Sequence, residues 1–189
     1  MIMKSPTLIF IRHAETQKDP TVNASKWNLS DVGKVTAKKL EDDFVNHDIS
    51  QIFVSSEQKT FQTIQPLAER LGLDPIVEDS FDEVRRGDIF LSNEDFKKEK
   101  IKQLQDTTYN AFNGESVDEA LQRFEKRIED IVNSMQESDT IIIVSHGTIL
   151  NAYFAKLLNA FDNIVSRWEN TKFGAYGVVR DGVVVKDLK

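Results

Sequence analysis

The chain holds three histidines, and two of them occupy matching places. His13 follows the apolar run Thr7-Leu8-Ile9-Phe10-Ile11 and Arg12, and His146 follows Thr140-Ile141-Ile142-Ile143-Val144 and Ser145. One histidine at a strand end is most simply a structural hydrogen-bonding residue. Two at the ends of different strands, one beside an arginine, point to a site. The chemistry such a set suits is phosphoryl transfer, which needs a nucleophile, fixed positive charge around the phosphate oxygens and an acid for the leaving oxygen. The neutral imidazole of His13 can attack phosphorus, and neighbouring cations disfavour its protonation. Arg12 presents a planar fork that fits phosphate oxygens. Lys59, in the first helical turn after the second strand, adds a point charge, and the N-terminus of that helix adds free N–H groups. Glu83, in a loop before Arg85-Arg86-Gly87, suits a general acid, because a bound phosphate anion raises the pKa of a carboxyl beside it. His47 lies near a polar helix end and is expected to face solvent.

These residues need a scaffold that brings them to one mouth. The runs 7–11, 51–54 and 140–144 read as buried strands, with a short extended piece at 75–77. Helical spacing follows Ser30, at Val32, Val35, Leu40 and Phe44. It recurs at Phe61, Ile64, Leu67 and Leu71, where Pro66 is expected to kink the helix or start a new turn. Ser116 and Glu119 form a capping box ahead of the stripe Val117, Leu121, Phe124, Ile128, Ile131 and Met135. A further helix is expected from Thr148 to Ala160, and Asp181-Gly182 reads as the turn of a closing hairpin. Strands alternating with helices imply an α/β fold, a three-layer α/β/α arrangement around a mostly parallel sheet. Ligands bind such sheets beyond the carboxyl ends of the strands, where Arg12, His13, Ser55, Ser145 and His146 all fall. Residues 1–189 read as a single domain with a substrate-covering insertion around 85–112. Within it, Ser92 to Asp106 has room for a helix packed by Phe96, Ile101 and Leu104.

The motifs also resemble a known family. Ile11-Arg12-His13-Ala14-Glu15-Thr16 is similar to the Arg-His-Gly-Glu-Thr motif of the histidine phosphatase superfamily, with its phosphoglycerate-mutase-like fold. In order along the chain, Leu29-Ser30-Asp31-Val32-Gly33, Ser55 to Thr63, Phe81-Asp82-Glu83 with Gly87, Gly114-Glu115-Ser116 with Arg123, and Val144-Ser145-His146-Gly147 resemble its further segments. Six fragments in the family's order are far more specific than any one of them. The resemblance implies that His13 is phosphorylated and then hydrolysed, that Arg12 and Lys59 clamp the phosphoryl oxygens, and that His146 donates a hydrogen bond. It further implies that Glu83 protonates the leaving group and later deprotonates the attacking water, and that the N–H of Gly147 faces the phosphate. The chain departs from the family in three places. Lys59 stands for an arginine, which keeps the charge and loses the bidentate fork. Asp19 stands for an asparagine, and a carboxylate close to phosphate would repel it. Ala14 stands for a glycine.

Composition narrows the class. The 189 residues are 40% hydrophobic and 29% charged, as in ordinary globular domains. The absence of cysteine excludes disulfides, a thiolate nucleophile and thiolate-bound metal. A net charge of −7, from 24 basic and 31 acidic residues, argues against nucleic acid as a partner. No apolar run is long enough to cross a bilayer and the N-terminus lacks a signal-peptide pattern, so no membrane partner and a cytoplasmic location are expected. No metal or cofactor is expected either, because Gly-rich phosphate loops and His-Glu-x-x-His are missing and an arginine flanks His13. The expected enzyme is a metal-independent phosphomonoesterase of a small phosphorylated metabolite. A phosphoglycerate-type mutase of the same fold is the second reading, and a non-catalytic phosphate-binding protein the third. Hydrolysis is preferred because the chain is short for the sugar-phosphate mutases.

Overall fold

The computed structural model describes residues 6–86 and 93–189. Gly87, part of one family-like segment, lies outside them. The described strands are β1 (Thr7–Arg12), β2 (Gln51–Val54), β3 (Ile76–Val77), β4 (Thr140–Ser145), β5 (Tyr176–Arg180) and β6 (Val183–Lys186). They form one sheet in the order β3-β2-β4-β1-β5-β6. The first four are mutually parallel, and β5 and β6 are antiparallel additions at one side.

Alternation along the strands explains the layers. Leu8, Phe10, Phe53, Ile141 and Ile143 point to one face, where they pack against α4 (Val117–Ser134) and α5 (Gly147–Leu157). Ile9, Ile11, Ile52, Val54, Ile142 and Val144 point to the other, against Leu40 and Phe44 of α1 (Asp31–Phe44) and Ile64 and Leu67 of α2 (Gln58–Leu71). Both faces of the central strands are covered, which is why those strands read as unbroken apolar runs. The result is the expected three-layer α/β/α fold.

Local chemistry sets the element ends. Ser30 Oγ accepts from the N–H of Gly33 at the start of α1, and the capping box of Ser116 and Glu119 opens α4. The two-residue turn of the closing hairpin has Asp181 and Gly182 both at positive φ, 52° and 71°, as a type I′ turn requires. Pro66 lies inside α2, which continues through it rather than ending there. The proline forfeits one backbone bond, while Ile64, Leu67 and Ala68 on the buried face tie both halves of the helix to the sheet. The helix expected from Thr148 ends earlier than Ala160, at Leu157. In the segment read as an insertion, α3 (Asn93–Gln105) buries Leu104 and packs against α6 (Ile164–Asn170), with Lys97 and Glu169 paired at 2.8 Å.

Strand order decides where a ligand can enter. After β1 the chain crosses β4 to build β2, so β1 and β4 are neighbours whose connections depart in opposite directions. That is a topological switch point, where the carboxyl ends of adjacent strands open a crevice. Arg12 is in register with Ser145, and the His13 N–H donates to the Ser145 carbonyl at 2.9 Å. Equal register makes the residues after both strands emerge side by side.

Candidate active site

The rings of His13 and His146, distant in sequence, stand with centroids 5.1 Å apart. His13 is 8% exposed and His146 1%. The backbone after His13 is pinned, because the Ala14 N–H donates to Thr63 Oγ1 of α2 at 2.8 Å. His13 Nδ1 lies 2.8 Å from the Ala14 carbonyl. A carbonyl only accepts, so Nδ1 carries the proton and the lone pair resides on Nε2. Burial, then the neighbouring His146, Lys59 and Arg12, hold the His13 pKa well below the usual histidine value. At neutral pH the ring is therefore an uncharged imidazole with a nucleophilic Nε2.

His146 is also neutral, its pKa pushed down to about 3 chiefly by burial, against the raising influence of Glu83. Its Nε2 lies 2.8 Å from Ser55 Oγ, the residue that follows β2. Ser55 Oγ in turn contacts Thr60 Oγ1 at 3.0 Å, so the first turn of α2 orients the second histidine.

Arg12 is fixed by the C-terminal part of the chain. Its guanidinium donates to the Thr171 carbonyl and lies 4.3 Å from the centre of the Phe173 ring. Its Nε is buried without a hydrogen-bond acceptor, a cost that an anion's oxygen would remove. Gly147 makes this position possible, since a Cβ there would sit 3.0 Å from both Cζ and Nε of Arg12.

Glu83 joins the site at the N-terminus of α5. Its carboxylate accepts from the N–H groups of Thr148 (2.9 Å), Ile149 (3.1 Å) and Val84 (2.9 Å). It thereby caps α5, which His146 leaves without a side-chain cap. Burial favours the neutral acid, but Lys100, His146 and the Thr148 and Val84 amides outweigh it and hold the pKa at about 2. The upward shift expected beside phosphate is thus absent from the unliganded protein, where Glu83 is a carboxylate. Its loop is bolted by Arg123, which donates to the carbonyls of Ser80 (2.8 Å), Asp82 (3.0 Å) and Glu83 (2.9 Å) and pairs with Glu115 at 2.8 Å.

Lys59 reaches the site with its charge already engaged. Its Nζ donates to the Ala24 carbonyl at 2.8 Å and pairs with Glu57 at 2.5 Å. Asp19 is exposed, and its carboxylate accepts from the N–H and hydroxyl of Thr21. Arg85 is occupied outside the pocket by Asp79 at 3.2 Å. Sequence reasoning missed two charged residues here. Glu57 lies inside the family-like segment Ser55 to Thr63 and is assigned no role there. Lys100 is buried on α3, bonded to Gln103 at 2.9 Å, and adds positive charge near Glu83. The only signal for Lys100 is its place one turn before Leu104 on the buried face of α3.

A phosphoglycerate-mutase-like α/β/α fold with two neutral histidines, an arginine and a carboxylate at its switch point defines a class. The chain belongs to the histidine phosphatase superfamily, branch 1, whose pattern matches residues 8–186. A probable phosphatase of Schizosaccharomyces pombe is 26% identical over 148 residues, 76% of this chain and 69% of that protein. The structure of a mycobacterial glucosyl-3-phosphoglycerate phosphatase is similar with a TM-score of 0.78 at 18% identity, over 98% of this chain and 97% of that one. Bacillus stearothermophilus YhfR is similar with the same TM-score at 19% identity, over 97% and 96%. The expected enzyme class, phosphoric monoester hydrolase, agrees with the family. Among the described residues no helix is long and apolar enough to cross a membrane.

Proposed function

We propose that the protein hydrolyses a small phosphorylated metabolite through a phosphohistidine on His13, with no need of a metal. The observation that carries this reading is the state of His13, a neutral ring tied through Nδ1, which leaves the lone pair on Nε2, with Lys59 and Arg12 as cationic neighbours. Arg12 supplies Nε and its planar fork to the phosphoryl oxygens, and Lys59 supplies charge. The Gly147 N–H at the start of α5 and His146 complete the cradle. In the first step Nε2 attacks phosphorus, the ester P–O bond breaks, and the leaving oxygen takes a proton from Glu83. The phosphoryl anion prepares that proton, because negative charge beside Glu83 raises its carboxyl from about 2. In the second step the Glu83 carboxylate takes a proton from water, the water oxygen attacks phosphorus, and the N–P bond breaks. Phosphate leaves and neutral His13 returns. The insertion carrying α3 is the element that would cover the leaving group.

The test is release of phosphate from a generic aryl phosphate and a panel of metabolite phosphates, in chelator. The reading expects turnover in the wild type and its loss in His13→Ala. An unchanged rate in His13→Ala would remove it.

A further inference from the structure

Glu57 holds the N-cap position of α2, yet its carboxylate caps no helix amide. It turns into the site, with Oε2 2.5 Å from Lys59 Nζ and Oε1 3.6 Å from His146 Nε2. Its root is fixed, because its N–H donates to Ser55 Oγ at 3.2 Å and its carbonyl accepts from Thr60 Oγ1 at 2.7 Å. The Lys59 and His146 side chains are 8% and 1% exposed and the Glu57 side chain 14%, so water screens these charges little. An acid thus stands beside the cation that should receive the phosphoryl group. Ionised, Glu57 neutralises Lys59 and repels an incoming dianion. Protonated, it frees Lys59 and presents an O–H to a phosphoryl oxygen.

The other ionisable groups around it are the same in the wild type and in Glu57 variants, so the comparison between them isolates Glu57. Glu83 accepts three backbone N–H groups in wild type and variants alike, and the proton it carries for the leaving group in the proposed mechanism is common to them. Asp82 is held by the N–H and hydroxyl of Ser56, both at 2.8 Å, and its pKa is raised mainly by burial. Arg12 and His13 face the pocket from β1, the one charged throughout and the other neutral.

We propose that Glu57 couples anion binding to proton uptake, so that a doubly charged phosphoryl group enters together with a proton that resides on the Glu57 carboxyl. The inference rests on the phosphatase reading of this pocket and specifies the charge state of the ligand it takes. One dianion and one proton amount to a singly charged ligand, which makes Glu57 a specificity-determining residue for the phosphoryl group.

Inorganic sulfate is the probe, because it stays doubly charged where phosphate titrates. Its binding to the full chain is followed by titration calorimetry in buffers of different ionisation enthalpy, for the wild type, Glu57→Gln and Glu57→Ser. Near neutral pH the wild type should take up about one proton more per sulfate than either variant. In mildly alkaline buffer both variants should bind sulfate about tenfold more tightly than the wild type. Equal proton uptake, or tighter binding by the wild type, overturns the inference while the pocket stands. Failure of all three proteins to bind either sulfate or inorganic phosphate overturns both the inference and the phosphatase reading.

Discussion

Replacing Glu83 by glutamine separates the observed duty of that carboxyl, holding α5, from the proposed one, moving a proton. In the folded protein it titrates at about 2, against a usual value of 4.5. At about 1.4 kcal/mol per pH unit the difference amounts to about 3 kcal/mol of stability for the ionised form. The sign follows from the lowered pKa. The contribution is complete above the unfolded value and drains away as pH falls toward about 2, with about 1 kcal/mol left at pH 3. Glu83→Gln lacks it at every pH. Urea unfolding of both proteins at neutral pH and at pH 3 should therefore show a stability gap that narrows by about 2 kcal/mol in acid. All other carboxylates cancel in the comparison. A gap of the same size at both pH values would refute the claim that the α5 amides and Lys100 hold Glu83 as an anion.

Three further substitutions probe the frame of the site. Gly147→Ala puts a methyl against the clamped Arg12 guanidinium. It should cost about 1–3 kcal/mol in urea unfolding and lower kcat/KM about a hundredfold through the displaced arginine. Arg123→Met leaves Glu115 and three loop carbonyls without their donor. It should destabilise by about 3 kcal/mol in thermal unfolding and lower kcat through a loosened Glu83. Phe173→Ala removes the ring under Arg12. A loss of about 1 kcal/mol should raise KM several-fold in steady-state assays while kcat changes less.

The parts of the site legible in the sequence are those fixed by local pattern. Unbroken apolar runs placed β1 and β4, and a strand buried on both faces delivers whatever follows it to one edge, which brought His13, Arg12 and His146 together. The capping box at Ser116 and the Asp181-Gly182 turn act within a few residues and formed as written. What was not legible depends on partners distant in the chain. The ionisation of Glu83 is set by amides of α5, 65 and 66 residues away, and the sequence shows no sign of that meeting. Glu57 carries no local pattern of its own, and only its pairing with Lys59 in the folded chain gives it a place in the site. Lys100 lies in a charged segment that reads as solvated, and only tertiary packing buries it. Pro66 looks like a break until the buried face of α2 is seen to hold both halves.

The central claim is that Nε2 of His13 takes the phosphoryl group because Nδ1 is tied to the Ala14 carbonyl. Rapid acid-free quenching during turnover of an aryl phosphate, followed by phosphorus NMR of the isolated His13 peptide, reads which nitrogen is modified. The account predicts phosphate on Nε2 of His13. Phosphate on Nδ1, on another residue, or on no residue during sustained turnover would contradict it.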